Sequence, residues 1–341
     1  MKKVLITGGI GFIGTNLTTR FIEAGYHVVA FDNHSREGVA RNLEWLKATY
    51  KNQFTYVWGD VRNVEDWQEL NEHEFVCCAH LGANPGIPRS LRNPDYDWRV
   101  NADGTKNMLE YVRHHGSPFV LYASTNKVYS DKINELPLHI QGQRYMPIDI
   151  EYQGNPETFP LDGQGSSYPS SPYGCSKAAG DRLVQEYSTT YKIPAAILRM
   201  SCIGGLHQLG VSEQGWISWF AYQATKGTRH LEIFGSGYQV RDILDGRDVA
   251  EVYFQLFQRG ASDYNVFNLG GSLDNSASLN ETIAFLEQET GQKFNLKYYD
   301  WRVADHKFYC SDTRRIRNLL GWAPKYTWQD TIRDMVQEYA S

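Results

Sequence analysis

The sequence predicts an α/β fold in which a doubly wound parallel sheet is joined to a smaller mixed lobe. Strand-like runs that are almost wholly apolar alternate with helix-like segments, as expected for a parallel sheet buried on both faces. A glycine-rich turn follows the first run and opens a helix. After about residue 201 the alternation stops and the pattern becomes mixed, which marks the second lobe.

The expected parallel strands are the apolar runs in the first two thirds of the chain. In chain order they read KVLITGG, YHVVAFDN, FTYVWGDV, FVCCAHLGA, PFVLYAST and PAAILRMS. The helix-like segments that separate or follow them are residues 11–24, 63–71, 101–114 and 176–191. This order predicts right-handed crossovers and a Rossmann-type sheet.

The composition argues against several classes of function. The formal net charge of −5 disfavours a nucleic-acid or anionic-membrane surface, which would need a basic patch. No apolar run reaches the roughly 18 residues of a membrane span, and MKKVLI reads as a first strand rather than a signal peptide. The five cysteines form no CxxC pair and the histidines no cluster. We therefore expect a reduced, cytoplasmic protein without a metal site.

The turn in ITGGIGFIGTNL is typical of a dinucleotide-binding loop. Gly8, Gly11 and Gly14 stand at three-residue spacing between a strand and a helix, the context that gives this pattern meaning. Glycine lets the backbone approach a pyrophosphate, and the helix N-terminus supplies free N–H groups. Asp32 ends the second strand, where a carboxylate binds the adenosine ribose and favours NAD over NADP. Arg36 is a counter-argument, because an arginine there can accept a 2′-phosphate.

Asp60 follows the third strand, in WGDVRN. Its carboxylate can reach the adenine of a dinucleotide, or it can cap the next helix. The sequence leaves both roles open.

The segment SPYGCSKAAGDRL places Tyr173 four residues before Lys177, so the two side chains share one face of a helix. Pro172 suits the start of that helix. A neighbouring ammonium and a helix N-terminus both favour the phenolate, and we expect them to lower the pKa of Tyr173. Such a pair suits acid–base work on a hydroxyl. Thr125, at the end of the strand in YASTNKVYS, can bridge that hydroxyl and the tyrosine.

Together, the glycine turn, the strand that ends in threonine and the YxxxK pair resemble the extended short-chain dehydrogenase/reductase superfamily over nearly the whole chain. The resemblance implies catalytic roles for Thr125, Tyr173 and Lys177, with Tyr173 and Lys177 also contacting the cofactor. It implies NAD as the cofactor. The further cofactor-binding residues that it implies, beside those named above, are Phe12, Ile13, Asn33, Ser35, Val61, Leu81, Gly82, Ala83 and Asn101.

The length of the chain and the change of pattern after about residue 201 predict two lobes. Residues 1–200 and about 240–270 are expected to form the NAD-binding Rossmann domain. Residues of about 201–239 and 271–341 are expected to form the nucleotide-sugar-binding lobe. The stretch 130–170, rich in Pro, Gly, Tyr and Asn, is expected to be a long lid or binding loop.

Further stretches are similar to the CDP-tyvelose (CDP-paratose) 2-epimerase branch of this superfamily. They are FDNHSREGVARNLEWL, STNKVY, EQGWISWF and QVRDIL. The branch implies that C2 of a CDP-linked deoxyhexose is inverted by transient oxidation to a ketone, rotation of the ketone and re-reduction. Related 4,6-dehydratases carry an Asp-Glu pair directly after the position of Thr125, whereas Asn126 and Lys127 stand here. We therefore expect no dehydratase activity.

The resemblance also implies contacts with a nucleotide-diphospho-sugar. Arginine suits phosphate oxygens, but Arg241 and Arg302 can instead form surface ion pairs with Asp242 and Asp305, and Trp216 can be a core residue. The segment 81–90 departs from the branch and should border the sugar. The expected substrate-binding residues are Pro85, Thr125, Asn126, Ser201, Gln214, Trp216, Gln239, Arg241, Arg302 and Asp305.

Two other functions remain open at the level of the sequence. The same residues can serve a 4-epimerase that acts on a UDP- or CDP-hexose. A catalytically silent dinucleotide-sensing protein of the same fold is the alternative from another class, although it would not need both Tyr173 and Lys177. A homodimer or homotetramer is expected from the resemblance alone.

Overall fold

The computed structural model describes residues 1–163, 171–260 and 265–341. Within this range the chain forms two compact units. Unit 1 comprises Met1–Val128, Pro172–Arg199 and Val249–Phe267, and unit 2 comprises Tyr129–Ser171, Met200–Asp248 and Asn268–Ser341. The last seven residues of the predicted 130–170 loop, and residues 261–264 of the predicted Rossmann domain, lie outside the described residues.

The strands are numbered in chain order. They are β1 (Lys3–Thr7), β2 (His27–Asp32), β3 (Phe54–Trp58), β4 (Phe75–His80), β5 (Phe119–Thr125), β6 (Leu138–Gln141), β7 (Arg144–Pro147), β8 (Ala195–Met200), β9 (Cys202–Gly204), β10 (His230–Phe234), β11 (Val240–Asp245), β12 (Val266–Leu269), β13 (Ser276–Ser278), β14 (Asn295–Tyr299) and β15 (Phe308–Tyr309).

The α-helices are numbered in the same way, and the short 3₁₀ and π segments are left unnumbered. They are α1 (Phe12–Glu23), α2 (Val39–Tyr50), α3 (Ile87–Arg92), α4 (Pro94–Trp98), α5 (Gly104–His114), α6 (Pro172–Thr190), α7 (Trp216–Thr225), α8 (Gly246–Arg259), α9 (Leu279–Thr290), α10 (Arg314–Leu320) and α11 (Trp328–Ala340).

The large sheet has seven strands in the order β12-β8-β5-β4-β1-β2-β3. The pairs β1–β2, β1–β4, β2–β3 and β4–β5 are parallel. The predicted Rossmann-type fold is confirmed. Chain order reverses between β1 and β4, and in such sheets ligands bind beyond the carboxyl ends of the strands at this switch point.

The interior of unit 1 explains the apolar runs in the sequence. Leu5, Val29, Cys78 and Val120, from four neighbouring strands, are all fully buried in one core. Because helices cover both faces, successive residues of the inner strands β1, β5 and β8 are buried and little alternation survives. β5 is buried at every position.

Unit 2 contains smaller sheets. β11 pairs with β13 antiparallel and with β15 and β9 parallel, while β10 pairs with β14. The apolar faces of α7, α9 and α11 form its core, which includes Phe220, Leu286 and Met335. Among the described residues, no helix is long and apolar enough to cross a membrane.

Residues 129–163 lie in unit 2, whereas the sequence placed them in the Rossmann domain. The reason is packing against β15. Tyr129 and Ile133 form a buried cluster with Tyr309. Leu138 on β6 packs beside Phe308. β6 and β7 form an antiparallel hairpin inside the predicted loop. Residues 240–248 also belong to unit 2 rather than to the predicted Rossmann domain.

Candidate active site

The glycine turn at the end of β1 is built for close backbone approach. Gly8 has a φ of 67°, and a Cβ added there would lie 2.9 Å from the backbone nitrogen of Gly82. A Cβ on Gly14 would lie 2.2 Å from the carbonyl oxygen of Gly8. Gly11 caps α1, and its N–H donates to the Gly8 carbonyl at 3.0 Å. This cradle, free of side chains at a helix N-terminus, fits a pyrophosphate.

Asp32 is the last residue of β2, as the sequence predicted. One of its carboxylate oxygens accepts the N–H of His34 at 2.9 Å. Burial raises the pKa of Asp32, and backbone hydrogen bonds from His34 and Ile10 act in the opposite direction. The carboxylate therefore stands at the end of the strand beside the glycine turn, where a ribose hydroxyl could donate to it.

Asp60 has partners within the protein. Its carboxylate accepts from the Arg62 guanidinium at 2.7 and 2.9 Å and from the Asn33 side chain at 2.8 Å. It also accepts the backbone N–H of Arg62 at 3.0 Å, which closes a local turn. The short 3₁₀ helix that follows has Val64 at its N-cap, so Asp60 does not cap it. The capping alternative is therefore wrong, and the carboxylate instead joins the end of β3 to Asn33.

The loop after β4 meets the glycine turn through Thr7. The Thr7 carbonyl accepts from the N–H of Leu81, and the Thr7 hydroxyl oxygen accepts from the N–H of Gly82, both at 3.1 Å. Asn101 has a structural part, since its side chain accepts from Asn84 N–H at 2.8 Å and donates to Asn84 O at 3.2 Å. The other predicted cofactor residues are half-buried at Phe12, Ile13, Arg36 and Ala83, buried at Val61 and exposed at Ser35.

The three predicted catalytic residues come together in unit 1. Thr125 ends β5, and Tyr173 and Lys177 lie in the first turns of α6. Tyr173 and Thr125 share a side-chain hydrogen bond. The Lys177 ammonium donates to the Ala123 carbonyl at 2.5 Å and lies 4.5 Å from the centre of the Tyr122 ring. An acid–base group, a hydroxyl and a buried ammonium are therefore collected at the end of one strand.

The pKa of Tyr173 does not follow the prediction from the sequence. Burial raises it to about 12, and the hydrogen bond from Thr125 acts in the opposite direction. Burial also lowers the pKa of Lys177 to about 8, while the carboxylates of Asp181 and Asp97 raise it. Desolvation by the protein thus outweighs the expected effect of the ammonium on the phenol. In the protein alone, Tyr173 keeps its proton at neutral pH.

Asn126 and Lys127 follow Thr125 in a short 3₁₀ turn. The Thr125 hydroxyl donates to the Asn126 side-chain oxygen at 3.3 Å, and the Lys127 N–H donates to the Thr125 hydroxyl at 3.2 Å. The position after Thr125 therefore holds a neutral amide. Pro85, the other substrate candidate of unit 1, is half-buried between β4 and α3.

Arg241 and Asp305 pair with each other in unit 2. The Arg241 guanidinium donates to Asp305 at 2.5 Å, to His306 O at 2.6 Å and to Val240 O at 2.7 Å. The sequence offered Asp242 as the alternative partner of Arg241, and that alternative is wrong. Asp242 is fully buried and accepts from the Ser201 hydroxyl and from backbone N–H groups.

The alternative partner named for Arg302, Asp305, is likewise engaged with Arg241. The Arg302 guanidinium instead stacks 3.8 Å from the centre of the Phe234 ring and donates to Ser212 O at 3.3 Å. Burial lowers its pKa. A half-buried guanidinium on an aromatic face remains a suitable group for a phosphate.

The remaining candidates of unit 2 differ in their surroundings. Gln239 is buried and donates to Phe234 O at 2.7 Å, and its side-chain oxygen has no hydrogen-bond partner among the described residues. Trp216 opens α7 and packs edge-on against Phe220 at 5.5 Å, which favours the core alternative. Gln214 pairs through its backbone with Val211 at 2.9 and 3.0 Å.

Sequence reasoning missed a buried polar group beneath the catalytic helix. Asp97, on α4, accepts hydrogen bonds from Asn84, Asn101 and Ser176. The one sequence signal was its position four residues before Asn101, which places both on one helical face. Nothing local indicated that Ser176 would reach it.

Comparison with known proteins identifies the family. Residues 4–270 match the model of the NAD dependent epimerase/dehydratase family. The chain belongs to that family. The predicted resemblance is confirmed, and so are NAD as the cofactor and an NAD-dependent enzyme of the epimerase type. The glycine cradle and Asp32 fit this cofactor.

Three similar proteins illustrate the range of activities among the relatives of this chain. It is 34% identical to the CDP-paratose 2-epimerase of Salmonella typhi over 340 residues, covering 98% of each chain. It is 27% identical to a dTDP-glucose 4,6-dehydratase of Escherichia coli, covering 99% of this chain and 92% of that one. The solved structure of Thermus thermophilus UDP-glucose 4-epimerase with NAD has a TM-score of 0.79 at 25% identity, covering 99% and 98% of the two chains.

Proposed function

We propose that this enzyme inverts C2 of a CDP-linked deoxyhexose. The full-length identity of 34% with a CDP-paratose 2-epimerase carries the proposal. The neutral Asn126 after Thr125 supports it against the dehydratase relatives, because elimination of water needs an acid and a base at the sugar.

The reaction requires a redox step because a carbon that bears only a hydroxyl has no acidic C–H. When bound, NAD supplies the hydride acceptor and, in its oxidised form, a positive charge that favours the phenolate of Tyr173. Tyr173 then removes the proton of the sugar hydroxyl. The same side chain returns that proton after the ketone has presented its other face.

The other residues hold this exchange in place. Thr125 shares a hydrogen bond with Tyr173 and can orient the sugar hydroxyl toward it. Lys177, fixed by the Ala123 carbonyl, adds a positive charge on the same side of α6. Because one acid–base residue serves both directions, no second catalytic carboxylate is needed.

The nucleotide-diphospho-sugar is assigned to groups of unit 2. Arg302 and Arg241 are the proposed diphosphate contacts, and Asp305 holds the Arg241 guanidinium in place. Gln239 offers a buried side-chain oxygen that no described residue engages, and it can accept from a hydroxyl or an amine of the ligand. The cytoplasmic location, inferred from the sequence, and the homodimer or homotetramer, inferred from family resemblance, remain proposals.

The experiment is proton NMR of the purified enzyme with CDP-tyvelose in deuterated water. We expect C2 to invert while its hydrogen remains protium, since the hydride never exchanges with solvent. Deuterium at C2 would contradict the mechanism. Inversion at C4 of a UDP- or CDP-hexose, with no change in CDP-tyvelose, would support the 4-epimerase. No conversion of any of these sugars by protein that contains NAD would favour the sensing protein.

A further inference from the structure

The first turn of the catalytic helix is held by the segment that precedes α5. The Tyr173 N–H donates to the Ser90 hydroxyl oxygen at 3.1 Å. The Ser176 hydroxyl donates to the Asp97 carboxylate at 2.6 Å. Tyr173 and Ser176, at the two ends of this turn, are therefore each held by a side chain from outside α6.

Asp97 is the centre of this contact. It is fully buried, and its second oxygen accepts from the side chains of Asn84 at 2.9 Å and Asn101 at 3.2 Å. These hydrogen-bond partners are one hydroxyl and two amides, all of them neutral. Burial raises the pKa of Asp97. The hydrogen bonds from Ser176, Asn84 and Asn101 act in the opposite direction, and the charge of Lys177 adds to them.

The hydrogen bonds alone do not require a carboxylate. An asparagine at position 97 could accept from Asn84 and Asn101 through its oxygen and donate to Ser176 through its nitrogen. The Ser176 hydroxyl already lies 3.1 Å from the Tyr173 carbonyl and could donate there instead. What an asparagine would remove is the negative charge, which is costly to bury without a cationic partner.

The groups around Lys177 show where that charge acts. From α6, Asp181 faces it, but this carboxylate is held by the Arg199 guanidinium at 3.0 and 3.1 Å. From β5, the Tyr122 ring lies under the ammonium. From β4, His80 is buried with its pKa lowered to about 3, so it is neutral at neutral pH. From α4 comes Asp97, whose charge favours the protonated forms of both Lys177 and Tyr173.

We propose that Asp97 is a positioning residue for the reaction, whose buried charge keeps the Lys177 ammonium protonated beside Tyr173 and whose bond to Ser176 fixes the first turn of α6. The part concerning the reaction rests on the proposed function. The part concerning Lys177 is a property of the protein itself and holds for any sugar.

The test is an NMR titration of protein labelled with carbon-13 at the lysine ε-carbon. The Lys177 resonance is assigned by its loss in Lys177→Arg. In the wild type we expect its midpoint near the pKa of about 8. In Asp97→Asn we expect the midpoint to fall by roughly one pH unit, because a neighbouring negative charge has been removed. An unchanged midpoint would overturn the proposal.

Two matched variants separate charge from structure. Ser176→Ala removes the 2.6 Å hydrogen bond but keeps the carboxylate, so the Lys177 midpoint should stay close to that of the wild type. Asp95→Asn removes an exposed carboxylate from the same helix, with 82% of its side chain accessible, and should leave the midpoint unchanged. A fall in either variant equal to that of Asp97→Asn would overturn the assignment to this charge.

A wild-type measurement covers the case in which Asp97→Asn does not fold. The Lys177 resonance should show a second inflection in the acid range, at the pH where the carbon-13 γ-resonance of a buried aspartate also moves. A single inflection would overturn the proposal.

In active enzyme, the alkaline limb of the kcat–pH profile should shift to lower pH in Asp97→Asn by the same amount as the resonance. If the Lys177 midpoint falls in Asp97→Asn but the enzyme converts no sugar, the effect of the Asp97 charge is supported and only the proposed function is contradicted.

Discussion

The candidate groups of unit 1 and unit 2 are held in different ways. In unit 1, Tyr173 and Lys177 lie one helical turn apart, and the glycine turn is a single stretch between β1 and α1. In unit 2, Arg241 and Asp305 come from distant parts of the chain and are bonded to each other. Local geometry thus places the Tyr173–Lys177 pair and the glycine turn of unit 1, while a long-range pair holds one of the proposed diphosphate contacts of unit 2. We expect substitutions in unit 1 to abolish catalysis or NAD binding, and substitutions in unit 2 to weaken substrate binding.

The largest effect is expected from Tyr173→Phe. Loss of the phenol removes the proposed acid–base group, and such groups contribute roughly 10²–10⁴-fold to rate. We therefore expect kcat to fall by at least about 100-fold, in purified protein that still contains NAD. The backbone bond from residue 173 to Ser90 is retained in this variant. Sugar conversion at the wild-type rate would show that the catalytic assignment is wrong.

Gly14→Ala should cost the protein its cofactor. The added methyl would lie 2.2 Å from Gly8 O and 2.8 Å from Gly9 Cα, so the turn must open. The measurement is NAD released from purified protein by denaturation, relative to protein concentration. Gly25→Ala is the control, since Gly25 also has a positive φ of 86° but has nothing within 4 Å of an added Cβ. It should lose stability and keep NAD. Equal NAD content in the two variants would contradict the assigned cradle.

A graded effect is expected from Arg302→Gln in unit 2. Loss of one charged hydrogen bond to a phosphate, about 1.5–3 kcal/mol, corresponds to a rise in KM of about tenfold or more. NAD content should not change. The control is Arg333→Gln, which also removes a guanidinium above a phenylalanine ring, Phe285, but 45% of its side chain is exposed on α11. A similar KM for both variants would remove Arg302 from the proposed site.

The contrast between local and long-range contacts also explains which parts of the fold could be predicted from the sequence. The six apolar runs correspond to β1–β5 and β8. Burial on both faces leaves an unmistakable apolar stretch in the inner strands, such as β1, β5 and β8. The predicted helix over 63–71 is a 3₁₀ segment, Glu65–Leu70. The hairpin β6–β7 was missed because three of the four residues of β6 are exposed, so no apolar pattern marks it.

For the candidate site, too, the sequence predicted local features and missed long-range contacts. Spacing alone located the glycine turn and the Tyr173–Lys177 pair, whose geometry is set within one turn of chain. It could not locate Asp97, which is joined to Ser176 across 79 positions of sequence. It could not give the pKa of Tyr173 either, since burial is a property of the folded protein and here outweighs the neighbouring charge. Spacing also could not identify Asp305 as the partner of Arg241, because the two residues are 64 positions apart in the sequence.

The smallest expected effect, on stability rather than activity, tests whether His80, at the end of β4, is uncharged in the folded protein. His80 is buried, and one of its ring nitrogens lies 2.8 Å from the Thr7 hydroxyl. Burial lowers its pKa from 6.5 to about 3, and the charge of Lys177 adds to this effect. Between these two values the unfolded chain binds a proton that the folded protein does not. The free energy of unfolding should therefore fall as the pH drops below about 6.5, by up to about 1.4 kcal/mol per pH unit.

Because carboxyl groups titrate in the same range, the quantity to measure is the difference between the wild type and His80→Asn in urea unfolding from pH 7 to pH 4. Asparagine can keep the contact with Thr7 and carries no titrating group. The wild type should lose stability relative to this variant as the pH falls. His114→Asn, an exposed change on α5 with 61% of the side chain accessible, is the control, and its curve should stay nearly parallel to that of the wild type. Parallel curves for His80→Asn would mean that His80 accepts a proton in the folded protein. The assignment of a neutral imidazole at position 80 would then be wrong.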